Sequence, residues 1–140
     1  MGTGGIWESV ELTYEGKTLR IDGWSFPSQH VEISPLTTFP DEECDANYHI
    51  AMVHGDLNAA GSRYAPLQLA NLREKNVDGW LLGHIHKPNL ILNSKDPWVL
   101  YPGSPQALDP GEQGIHGCWI VPIYNPVSLR GMRLRFLRSS

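Results

Sequence analysis

Gly83-His84-Ile85-His86 places two imidazoles one residue apart, directly after the apolar run Trp80-Leu81-Leu82 and before Lys87-Pro88. Imidazole is the commonest protein ligand for transition metals, so two of them at the end of a hydrophobic strand can aim at one ion. A third histidine sits in an equivalent setting, Val53-His54-Gly55-Asp56, at the end of the apolar run from His49 to Val53. If the chain between these two runs crosses over in the usual right-handed way, the strands are parallel and both ends lie on one side of the sheet. Ligand sites in such sheets form at the carboxyl ends of the strands. Three histidines at matched strand ends, with glycines that let backbone approach closely, favour a metal site over three unrelated side chains.

The elements that must position these histidines are short, because fourteen glycines and eleven prolines punctuate the chain. Val10 to Tyr14 and Thr18 to Trp24, joined by Glu15-Gly16-Lys17, read as a hairpin. Phe26 to Tyr48 reads as a long loop, and its acidic patch Asp41-Glu42-Glu43-Cys44-Asp45 as a solvated face rather than a cation site. Pro66 at a first helical turn, followed by Leu67, Leu69, Ala70 and Leu72, predicts a helix to about Lys75. Strands are predicted over Asp78 to Gly83, Leu90 to Leu92, Trp98 to Tyr101, Cys118 to Tyr124 and Arg130 to Leu137. The expected fold class is α/β, a mixed β-sheet with few helices.

A length of 140 residues fits one domain, which would bury roughly 70% of its unfolded surface. A net charge of -4 and a pI near 5.8 exclude any overall electrostatic pull toward nucleic acid or an anionic membrane. Contact with phosphates must then be local or carried by metal. The apolar runs are too short to span a bilayer, and the start lacks a basic region followed by an apolar one, so a cytoplasmic location is expected. Cys44 and Cys118 read as reduced thiols, although two cysteines can in principle pair.

Three motifs in order, Val53-His54-Gly55-Asp56, Gly83-His84-Ile85-His86-Lys87-Pro88 and Tyr101-Pro102-Gly103-Ser104-Pro105-Gln106, resemble the calcineurin-like metallophosphoesterases. The Pro-Gly-Ser-Pro-Gln segment narrows the resemblance to the SbcD-type and YhaO-like DNA repair exonucleases. Gly23-Trp24-Ser25-Phe26-Pro27, Ser62-Arg63-Tyr64-Ala65-Pro66 and Leu108-Asp109-Pro110-Gly111-Glu112 point to the same branch. The resemblance runs from about Trp7 to Tyr124. It implies that His54 and His84 bind one metal ion and His86 another, with manganese as the usual pair. It also implies DNA as substrate and a coiled-coil ATPase subunit as a partner. Two such ions clamp a phosphodiester and activate a water.

A dinuclear site also needs a bridging ligand and anionic oxygen donors. The family draws these from Asp-x-His, Gly-Asp-x-x-Asp and Gly-Asn-His motifs. None occurs here: Gly55-Asp56 continues as Leu57-Asn58-Ala59, and there is no Asn-His dipeptide to supply the catalytic histidine. The resemblance therefore implies the C-terminal half of a phosphoesterase domain, part of a layered αββα sandwich, with an N-terminal half lying elsewhere. Such a half-domain exposes the apolar face its other half would cover, so self-association is expected.

The remaining residues that could do chemistry have more ordinary readings. Asp56 can orient a ligating histidine through its carboxylate, or serve a turn. Ser104 lacks a histidine-acid relay, and Gly103-Ser104 reads as a tight turn bringing backbone close to the metal cleft. His49 reads as structural, facing away from the neighbouring buried positions, while His30 and His116 lie in loops. The five tryptophans read as core and interface residues. Arg130, Arg133, Arg135 and Arg138 form a local basic stretch, by default a solvated strand face and otherwise a contact for DNA backbone. Three functions stay open: half of a manganese-dependent DNA phosphodiesterase, a non-catalytic binding or assembly module, and a phosphoesterase acting on another phosphorylated substrate.

Overall fold

A computed structural model describes residues 3–59, 61–92, 96–107, 109–122 and 135–138. Among the described residues, ten strands and one short α-helix follow a 3-10 turn at Thr3–Gly5. The strands are β1 (Glu8–Tyr14), β2 (Lys17–Trp24), β3 (Tyr48–His54), β4 (Asp56–Leu57), β5 (Pro66–Leu67), β6 (Gly79–Gly83), β7 (Asn89–Ile91), β8 (Trp98–Tyr101), β9 (Gly117–Ile120) and β10 (Arg135–Arg138). The helix α1 is Leu69–Arg73, and a second 3-10 turn covers Pro35–Thr38. The fold is α/β with few helices, as expected from the sequence.

Six strands form the main sheet in the order β1-β2-β3-β6-β8-β7. β1 and β2 are the expected hairpin, closed by Glu15 (φ 49) and Gly16 (φ 73), a left-handed pair that matches the twist of two antiparallel strands. β2, β3, β6 and β8 run parallel, and β7 closes the far side antiparallel to β8. All four parallel strands therefore end on one rim. That rim carries Trp24, His54, Gly83 and Tyr101.

The segment between β3 and β6 departs from the predicted helix. Pro66-Leu67 is not a first helical turn but a short strand parallel to Asp56-Leu57. Ala65 in a left-handed conformation (φ 48) turns the chain there. Its carbonyl accepts the Asp56 N–H at 3.2 Å, and the Leu67 carbonyl accepts the Asn58 N–H at 2.8 Å. Proline suits this place because it carries no N–H to leave unpaired. The helix begins only after Gln68, whose backbone is extended, with Asn58 Oδ1 accepting the Leu69 N–H at 3.2 Å. The predicted long loop is interrupted by the Pro35–Thr38 turn, capped by Ser34, and by a bridge from Val31 to Tyr64. Residues 123–124 and 130–134 of the two C-terminal predicted strands, Arg130 and Arg133 among them, lie outside the described residues.

One face of the sheet is closed. Trp24, Ala51, Val53, Trp80, Leu82 and Val99 pack there against Leu36, Phe39, Leu67 and Leu72. Trp80 donates its indole N–H to the Leu72 carbonyl at 3.0 Å, which ties the sheet to the end of α1. The opposite face is only partly covered: Tyr48, Ile50, Trp98 and Leu100 are buried, while Met52 remains 39% exposed. Gly79 lies under the Trp98 indole, where an added Cβ would come within 1.9 Å of the ring. Trp24, Trp80 and Trp98 are buried, in line with a core role.

A buried polar network crosses the closed face. Asp22 is fully buried, accepting from Ser9 Oγ (2.5 Å), Arg20 Nε (2.9 Å) and His49 Nε2 (2.7 Å). His49 is buried too, so its structural role comes from facing the core side by side with Asp22, not from facing away. Its other ring nitrogen meets the Asn76 carbonyl at 3.2 Å. Burial alone would push the Asp22 carboxyl up, but the bonds from His49, Ser9 and Arg20 outweigh it and bring it down to about 2. A depressed carboxyl stabilises the fold above its ordinary value of 3.8 and loses that contribution as pH falls through about 2. We expect Asp22 to contribute about 2 kcal/mol of pH-dependent stability across this window. Urea unfolding of wild type should show the decline between pH 4 and pH 2, roughly the span of the shift, and Asp22→Asn should remove it. An identical acid limb in the variant would refute the assignment.

Candidate metal centre

The rim of parallel strand ends is built by register. β3 and β6 pair so that His54 lies opposite Gly83, and the Gly83 carbonyl accepts the Gly55 N–H at 3.2 Å. Glycine is required at 83: an added Cβ would stand 2.7 Å from His54 Nδ1. At 55, an added Cβ would stand 2.6 Å from the Ala65 carbonyl oxygen. The next residue, His84, holds φ at 109, a region that side-chain-bearing residues rarely adopt. Strain of this kind costs about 1–3 kcal/mol and persists where surrounding structure forces it. It turns the His84 ring toward His54, and the two centroids lie 5.5 Å apart, edge to face.

Aromatic neighbours hold this pair. Phe26, from the segment after β2, meets His54 edge-on at 4.9 Å, and Tyr64 lies against His84 at 5.0 Å. Burial lowers the His54 pKa, and the charges of His84 and then His86 lower it further. A neutral ring with a free lone pair is the ligating form. Beneath the loop, the Tyr101 hydroxyl donates to the Gly55 carbonyl at 2.8 Å and accepts the Leu57 N–H at 2.9 Å. It thereby fixes the backbone on both sides of Asp56. Burial, opposed by the Leu57 bond and aided by the charge of Asp56, pushes the Tyr101 hydroxyl up to about 12, so it keeps its proton for this bond.

The predicted site residues are not all brought together. His54 and His84 form a pair. His86 turns aside, and its Nδ1 meets Glu112 Oε1. Among the described residues no three His, Cys, Asp or Glu side chains close on one point. The donor set fits a divalent metal in kind and falls short in number. Asp56 is half-buried and engages through its N–H, shared between the Tyr64 and Ala65 carbonyls. Gly103 (φ 77) makes the close turn read from the sequence, since an added Cβ would lie 2.8 Å from the His86 carbonyl oxygen. Ser104 is buried, donating its N–H to that same carbonyl at 2.9 Å. His30 packs beside Tyr64 at 5.8 Å. Sequence reasoning missed Phe26, Tyr64 and Glu112 as neighbours of the histidines, and Tyr101 as the support of the Gly55–Leu57 backbone. Each acts across a long stretch of chain, and only the motifs containing them hinted at a role.

A cavity of about 570 Å³ opens beside His54 on the uncovered face, over Met52, Leu81 and Leu100, and is walled by Trp119 and Val121. It is lined mainly by apolar side chains. Cys118, at its edge, and Cys44 are both free thiols. No described helix is long and apolar enough to cross a membrane.

No family model matches the chain. Over 83 residues, 58% of its length, the chain is 39% identical to a Bacillus subtilis (strain 168) protein described as an uncharacterized metallophosphoesterase, YhaO. That similarity supports the metallophosphoesterase family. The chain spans 20% of that relative's length.

The backbone at His84 gives a direct test of strain at the site. His84→Gly should unfold at a higher temperature than His84→Ala, because glycine alone adopts φ 109 freely. A gap of about 1 kcal/mol, or a few degrees, is expected. Equal melting temperatures would show that the conformation carries no strain.

Proposed function

We propose that this chain is part of a metal-dependent phosphoester hydrolase, with His54 and His84 as ligands of one divalent ion and His86 as a ligand of a second. The observation that carries the reading is the His54–His84 pair: two rings 5.5 Å apart, on adjacent parallel strand ends, one of them on a strained backbone. The similarity to a metallophosphoesterase agrees with it. DNA is the proposed substrate and manganese the proposed ion, both on the strength of the Pro-Gly-Ser-Pro-Gln resemblance.

Bound there, divalent ions would polarise a phosphodiester oxygen and activate water for attack. The chain's own residues supply the rest of this half. Gly83 gives His54 room, Phe26 and Tyr64 limit the movement of the two rings, and Tyr101 fixes the Gly55–Leu57 backbone. Gly103 and Ser104 bring backbone against the His86 carbonyl. The carboxylates and the catalytic histidine belong, in this reading, to a segment outside these 140 residues. That segment would pack on the partly covered face, where Met52, paired between Gly23 and Leu81, remains 39% exposed. A coiled-coil ATPase subunit is a proposed partner of the assembled enzyme.

The partly covered face around the exposed Met52 also favours a second reading, an assembly module that binds its partner through this face without catalysis. The two readings part at metal binding. We expect isothermal titration to show weak binding of manganese or zinc to the chain, lost in the His54→Ala/His84→Ala variant. Equal heats from wild type and the double variant would sink the metal reading and leave the module. The isolated chain should not hydrolyse a DNA phosphodiester with manganese, and activity should arise only with a segment carrying the Asp-x-His, Gly-Asp-x-x-Asp and Gly-Asn-His motifs. Robust hydrolysis by the chain alone, abolished by His84→Ala, would overturn this division.

A further inference from the structure

His86 does not join the other two histidines, and the reason is a closed ring of contacts. Its Nδ1 meets Glu112 Oε1. The Glu112 carbonyl faces His116 Nε2 at 3.0 Å, and His116 Nδ1 faces the Ser104 carbonyl at 3.2 Å. The Ser104 N–H returns to the His86 carbonyl at 2.9 Å. Glu112 is itself anchored, donating its N–H to the Asp109 carbonyl at 2.9 Å. Its side chain is 19% exposed against 60% for His86, so the carboxylate is the fixed partner and the imidazole the one being held. The ring ties the Gly-His-x-His segment to the Pro-Gly-Ser turn and to the loop before β9. Beside it lies a cavity of about 480 Å³ lined by Lys87, Ile115, Trp119 and Phe136.

We infer that Glu112 is a positioning residue for His86: it selects the imidazole tautomer protonated at Nδ1 and leaves the Nε2 lone pair free for a metal ion. An ionised carboxylate only accepts hydrogen bonds, so the proton between the two groups belongs to Nδ1. Which ring nitrogen can ligate is set by the bond the other one makes, and a carboxylate on the far nitrogen also raises ligand basicity. The inference rests on the metal reading proposed above and adds to it a residue that no histidine motif contains. It explains why His86 lies outside the His54–His84 pair. Its ring is oriented from the other side of the cleft, by a loop whose sequence carries no metal-binding pattern.

The experiment uses the 140-residue chain labelled with ¹⁵N. Two-bond proton–nitrogen correlations at alkaline pH report which nitrogen of each neutral imidazole holds the proton. Wild-type His86 should be protonated at Nδ1. Glu112→Gln keeps an acceptor oxygen and should keep that tautomer, whereas Glu112→Met, of similar size but without an acceptor, should move the proton to Nε2. Both variants fill the loop, and unchanged amide signals in β3 and β6 show that each has folded. Zinc is then titrated while the ring signals of His54, His84 and His86 are followed separately. The zinc concentration needed at His86 should rise about 10–100-fold in Glu112→Met, with Glu112→Gln closer to wild type. Equal tautomer populations in the two variants would overturn the inference, as would a wild-type His86 that ignores zinc while His54 and His84 respond. Silence at all three rings would instead overturn the metal reading, leaving the tautomer result to stand by itself.

Discussion

The site depends on one register. Pairing β3 with β6 so that His54 faces Gly83 puts an imidazole where the neighbouring strand has no side chain, and it carries His84 to the turn just beyond. A slip of one residue would send His54 to the other face of the sheet and bring a bulky side chain against it. The register is in turn held by the two faces of β3. Ala51 and Val53 pack into the closed core, while Tyr48 and Ile50 belong to the opposite cluster. The network around Asp22 locks the same strand at its start, through His49. Core packing, buried charge and the functional rim are thus parts of one arrangement along a single strand.

Much of this was legible in the chain itself. The β1–β2 hairpin, the central strands and the parallel relation of β3 and β6 follow from apolar runs, turn residues and crossover rules. The convergence of His54 and His84 follows from the same reasoning, because strand ends on one rim are a topological matter. The helix beginning at Pro66 did not hold. A proline before an apolar periodic stretch suits a first helical turn, but Ala65 takes a left-handed conformation and the Asp56 and Asn58 N–H groups find their acceptors in this segment. Those bonds depend on a strand ten residues earlier, which local propensity does not see.

His86 shows the complementary limit. Spacing alone places it beside His84, and on a strand the two side chains would share a face. The backbone leaves the strand at His84, and what then orients His86 is Glu112, on a loop twenty-six residues away. Tyr64 and Phe26 reach the histidines in the same long-range way, and Tyr101 the backbone just beyond His54. The motif names the donors, and the three-dimensional chain decides which of them meet.

The hairpin strand β1 carries a different consequence. It is the outermost strand of the sheet, and Val10, Leu12 and Tyr14 are 42%, 54% and 78% exposed along one side of it. An outermost strand is a template on which strands of other molecules add. The strand and its turn also bear Glu11 and Glu15, which repel a second copy laid alongside. Association should therefore depend on ionic strength: salt screens these carboxylates and unmasks the edge.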